Sequence, residues 1–141
     1  MNDYDKEFTT WLNSEKISYE TIEQSKHDKL IYSINRAFPF SGSKIDWSKT
    51  KNSLSFNTQN KDKALLAISQ KAADSTSKII FIGDSLIHLG YKIKNTDILS
   101  VLAEVFEIPQ HNYIFPQDLS WIACLSMEGD IDMGDSPIQD R

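Results

Sequence analysis

The run Ile79-Ile80-Phe81-Ile82 constrains this chain more than any other feature. Four large apolar residues stand in succession, with Asp74-Ser75-Thr76-Ser77 before them and Gly83-Asp84-Ser85 after. A half-exposed strand alternates apolar and polar residues, whereas a short unbroken run bounded by turn formers reads as a buried strand. Residues 78–82 are therefore expected to form a core strand of a sheet, and Gly83-Asp84-Ser85 its bend. At 141 residues and 40% hydrophobic content, the chain suffices for one core and one domain, 1–141.

Apolar residues Tyr4, Phe8, Trp11 and Leu12 fall on one face of a helix over 4–13. A second helix is expected from Thr21 to Ala37, closed before Pro39 because a residue preceding proline avoids the helical region. Ile45 and Trp47, then Leu54 and Phe56, alternate with polar neighbours, which suits two short strands or a hairpin between 41 and 60. A third helix, 61–73, has Asn60 as its expected cap. Residues 86–93 are expected to run extended, with Ile87, Leu89, Tyr91 and Ile93 on one side. The clearest helix carries the stripe Ile98, Leu99, Val101, Leu102, Val105 and Phe106, with Asn95 or Thr96 as cap and Pro109 as its end. Three strands follow, within "NYIF", "SWIACLSM" and "DIDMG", the last two joined by a turn at Glu128-Gly129-Asp130. Strands gathered behind helices give an α+β domain, with a mainly antiparallel sheet and helices packed against it.

The charge is unevenly placed. Residues 1–94 sum to +3 (14 Lys and Arg against 11 Asp and Glu), and residues 95–141 to −8 (1 against 9). An acidic half repels phosphate, so nucleic acid is not an expected partner at that end. It suits a basic protein, or serves solubility alone. No apolar run reaches the roughly 18 residues of a membrane span, and the N-terminus lacks a secretory pattern. A single cysteine, Cys124, fits a reducing compartment, so the expected location is the cytoplasm.

Gly83-Asp84-Ser85-Leu86 also spells the signature of the GDSL hydrolases, which resemble this chain over those four residues. That resemblance implies Ser85 as nucleophile of a small esterase. A serine hydrolase also needs a base and an orienting acid, and the family supplies them as Asp-x-x-His near the C-terminus. No such block follows Ser85, and Gly-Asp-Ser recurs at 134–136. The turn reading is preferred, with Asp and Ser side chains bonding nearby N–H groups. His27, His88, His111 and Cys124 lack zinc spacing, and "DIDMGD" lacks the glutamate that closes a calcium loop. No metal or cofactor is expected. Cys124 reads as a core residue, and His111 as a structural hydrogen bonder.

Acids gather around the final strands: Asp118, Glu128, Asp130, Asp132 and Asp135, with Trp121 and Tyr113 among them. Aromatic anchors rimmed by charge are a common protein-binding face, and a solvated sheet face over a core tryptophan is the bland alternative.

The segment 79–134 resembles small bacterial immunity proteins encoded beside polymorphic or contact-dependent growth-inhibition toxins. The resemblance lies in Ile108-Pro109-Gln110-His111, Tyr113, Asp118, Ser120-Trp121 and Glu128-Gly129-Asp130. It implies a non-enzymatic protein that binds the C-terminal domain of a cognate toxin, often a nuclease. The expected contact residues are Asp118, Trp121, Glu128, Asp130, Asp132 and Asp135. A non-enzymatic adaptor without a toxin is the remaining alternative.

Overall fold

The computed structural model describes residues 1–138. Four helices are α1 (Asp3–Ser14), α2 (His27–Ala37), α3 (Lys61–Ala73) and α4 (Ile98–Phe106). Nine strands are β1 (Tyr19–Ile22), β2 (Phe40–Ser41), β3 (Lys44–Ile45), β4 (Lys51–Phe56), β5 (Ile79–Gly83), β6 (Gly90–Ile93), β7 (Asn112–Pro116), β8 (Trp121–Leu125) and β9 (Ile131–Asp135). Seven of them make one sheet in the order β1-β6-β5-β7-β8-β9-β4, while β2 and β3 form a separate hairpin. Every pairing among them is antiparallel. The architecture is α+β, as the order of elements in the sequence implies. Among the described residues no helix is long and apolar enough to cross a membrane.

Both faces of the sheet are covered, which is why β5 is apolar throughout. One lateral row of partners, Tyr91, Phe81, Ile114, Ala123 and Met133, lies in the larger core. Helices α1, α3 and α4 cover it with Phe8, Leu12, Leu65, Ile68, Val101 and Leu102. Phe8 meets Phe81 and Tyr91 edge-on, with centroids 5.4 and 4.9 Å apart. Side chains of this size each contribute about 1.5–3 kcal/mol on full burial. The opposite face carries Ile22, Ile80, Ile82, Phe115 and Ile122, and α2 and the β2–β3 hairpin cover it with Ile34, Phe38 and Ile45.

Three local expectations change. The helix expected from Thr21 begins at His27, because Tyr19–Ile22 pairs with Ile93–Gly90 as an edge strand and a 3-10 turn, Gln24–Lys26, intervenes. Only Gly90–Ile93 of the expected 86–93 strand pairs. Neither Asn60 nor Asn95 caps its helix by a side-chain bond. Each sits in a 3-10 turn instead, and Asn95 Nδ2 donates to the carbonyls of Ala73 and Ser75, tying the end of α3 to the start of α4.

Candidate functional site

The site arises from the sheet's register on its smaller-core face. The lateral row Ile82, Tyr113, Cys124, Asp132, Ser55 crosses β5, β7, β8, β9 and β4. It begins apolar beneath α2 and ends polar at the edge. One step toward the strand ends, the Asp84 N–H donates to the His111 carbonyl (3.2 Å) and the Ser126 N–H to the Asp130 carbonyl (2.8 Å). These two rows floor a cleft of about 470 Å³.

Its wall is the α2–hairpin layer, through Ile31, Ile34, Phe40, Lys44 and Trp47. Two contacts fix that wall to the sheet. Ser136 Oγ donates to the Ala37 carbonyl at 2.6 Å, holding the end of α2. Thr50, just past Trp47, lies against Gly134, where an added Cβ would stand 2.3 Å from Thr50 Oγ1. Only glycine admits this approach, so the wall's position depends on a residue without a side chain.

Four carboxylates line the cleft (Asp84, Glu128, Asp130 and Asp132), against the single cation Lys44. Asp84, Glu128 and Asp130 are exposed and Asp132 is half-buried. Among the described residues none of the four has an ion-pair partner. Asp84 accepts from the His111 N–H at 3.0 Å, and Asp132 accepts from the Ser55 hydroxyl. His111 Nδ1 accepts from the Met127 N–H at 3.1 Å, which anchors the β8–β9 turn. That turn has Gly129 at φ 94°, the left-handed conformation that favours glycine.

The negative field shows in the buried groups beneath it. Burial, then the charge of Asp132, pushes the Cys124 thiol up to about 12, and a hydrogen bond with Tyr113 partly opposes this. Burial, followed by Cys124 and Asp84, likewise raises the Tyr113 phenol. A thiol held protonated is a poor nucleophile, so Cys124 acts here as core.

Two distant side chains, the Gln110 carboxamide and the Asp5 carboxylate, hold the adjoining loop, 84–89. The N–H groups of Ser85, Leu86 and Ile87 all donate to Gln110 Oε1, at 3.3, 2.7 and 3.1 Å. Gln110 Nε2 donates to Asn112 Oδ1 at 2.7 Å, and Gln110 is only 1% exposed. Gly83 makes room for it, since a Cβ there would lie 1.9 Å from Gln110 Nε2. The next two N–H groups, His88 and Leu89, donate to Asp5 at 3.0 and 3.2 Å, and the Tyr91 hydroxyl does so at 2.6 Å. The bend expected at Gly83-Asp84-Ser85 is thus present, but its N–H groups are held mainly from afar. No hydrogen bond joins Ser85 Oγ to a histidine among the described residues.

Of the acids singled out from sequence, Glu128, Asp130 and Asp132 come together in the cleft. Asp135 does not. It faces the larger core's side, bonded to Lys71 of α3 at 2.8 Å and to Asn52 at 2.9 Å. Asp118 lies in the β7–β8 turn, at the far end of β8 from Glu128, and accepts from the Ser120 N–H at 3.0 Å. Trp121 is 2% exposed within the larger core, its Nε1 donating to Ser75 Oγ at 3.1 Å. It is therefore packed rather than presented, because β8 is buried on both faces. Asp84 and the wall residues were missed as site residues. The signal for Asp84 was its place at the end of a core strand, one residue past β5. No protein-family model matches this chain, and a comparison with curated proteins gives no match.

Proposed function

We propose that this protein is a non-enzymatic immunity protein of the cytoplasm, which binds the C-terminal domain of a cognate toxin and blocks its cationic working surface. The observation that carries this reading is the set of four carboxylates around one cleft, none neutralised by an ion pair among the described residues. Like charges held together oppose one another and are stabilised by a cation, so the cleft is complementary to a basic surface such as a nuclease's substrate site. The resemblance of 79–134 to immunity proteins supports the same assignment, and the lone, buried Cys124 suits a reducing compartment.

The test is co-expression with the variable C-terminal domain of a large secreted protein encoded beside this gene. Restored growth, with a complex that loosens as salt rises, is the expected result. Continued toxicity, with no complex at low salt, would overturn it. Esterase activity that is lost in Ser85→Ala would establish the hydrolase instead.

A further inference from the structure

We propose that the cleft receives an arginine side chain of a basic partner segment, whose backbone crosses the Asp130–Asp132 ridge toward β4. This deepens the function proposed above and rests on it.

The dimensions fit a side chain rather than a folded element. About 470 Å³ falls within the roughly 300–1,000 Å³ of small-ligand sites. The lining is divided as an arginine is divided. Ile31, Ile34, Phe40 and Trp47 offer apolar and aromatic surface for a methylene stem and a planar head. The four carboxylates offer acceptors for the guanidinium's five N–H donors.

Those acceptors are spread around the cleft. Among the described residues no three His, Cys, Asp or Glu side chains are placed to hold a metal ion. Distributed charge matches a broad, delocalised cation better than a compact one. A shallower cleft of about 370 Å³, lined by Ser55, Phe56 and Asn57, shares Asp130 and Asp132 with the first. A path for an extended segment therefore runs over the ridge to the outer strand. Ile31, 44% exposed on α2, flanks the entrance with apolar surface. Lys44 is the opposing feature: it is the one cation in the lining, and it weakens a cationic guest.

The experiment is an amide-resolved NMR titration of the full chain with N-acetyl-arginine methylamide, its lysine analogue and its uncharged norleucine analogue. The expected result is saturable shifts at Asp84, His111, Glu128, Asp130 and Asp132 in the millimolar range. Lysine should bind several-fold more weakly and norleucine not at all. Asp130→Asn/Asp132→Asn should lose the response, Lys44→Met should strengthen it, and Asp118→Asn should leave it unchanged. Glu128→Gln is the second cleft variant, should the double variant fold poorly. Linear shifts across the acidic surface, an equal response to norleucine, or an unchanged response in the cleft variants would overturn the proposal. Protection from the toxin domain without an arginine response would end this proposal and leave immunity standing. An arginine response without protection would do the reverse.

Discussion

Two carboxylate regions meet at the loop after β5, and they are built on opposite terms. Asp5 is 0% exposed, and its two oxygens accept three hydrogen bonds, from His88, Leu89 and the Tyr91 hydroxyl. The cleft acids are mostly exposed and lack ion pairs among the described residues, and two of them accept a single hydrogen bond, Asp84 from the His111 N–H and Asp132 from the Ser55 hydroxyl. A buried charge must be fully satisfied or it destabilises the fold, whereas an exposed one need not be. Asp5 therefore belongs to the structure, and the cleft acids remain available to a partner. Stability and binding should separate cleanly between them.

The largest effect expected is on stability at Asp5. Asp5→Ala leaves two partly buried N–H groups and the buried Tyr91 hydroxyl without acceptors, at a cost of about 3–5 kcal/mol in denaturant unfolding. Gln110→Ala follows at about 2–3 kcal/mol, because it strands three amides of the same loop but removes only a neutral carboxamide acceptor. Either variant unfolding like the wild type would break the contrast on its structural side.

Asp130→Asn/Asp132→Asn should change stability by no more than about 0.5 kcal/mol, as surface changes do. A loss of about 2 kcal/mol or more would make the cleft a structural device after all.

A further effect appears only in alkali. The Cys124 thiol is raised from 9.0 to about 12 in the folded chain. Above pH 9 the unfolded thiol therefore loses its proton first, and stability falls with rising pH until about 12. Cys124→Ala should flatten part of that slope in unfolding measured across the range. Because Asp132 contributes after burial, Asp132→Asn should bring the onset of thiolate absorbance to lower pH. An unchanged onset would mean that the cleft's field does not reach the thiol.

The sequence revealed elements wherever local pattern and final environment agree. Ile98, Val101, Leu102 and Val105 of the α4 stripe face one core and need no partner to be read, while Leu99 of the same expected stripe stays exposed. The β8–β9 turn announces itself through Gly129. Where a distant residue decides, local pattern fails. Ile22 looks helical beside α2, yet it pairs with Gly90. Leu86 to Leu89 look extended, yet Gln110 takes two of their amides from 23 and 24 positions away and Asp5 the other two from 83 and 84. The site divides in the same way. Asp130 and Asp132 share a face by strand alternation, and the same alternation places Asp135 on the other. Trp121 gave no such clue, since its strand is apolar on both sides. Asp84 joins the cleft only through the antiparallel pairing of β5 with β7.

A matched charge reversal tests the cleft most directly, read as protection in co-expression with a candidate toxin domain of the kind proposed above. Asp130→Lys/Asp132→Lys changes the cleft. Glu7→Lys/Glu15→Lys makes the same charge change on the exposed side of α1 and just beyond its end. The first variant is expected to fold and lose protection while the second keeps it. Equal protection by both, or loss only in the second, would contradict it.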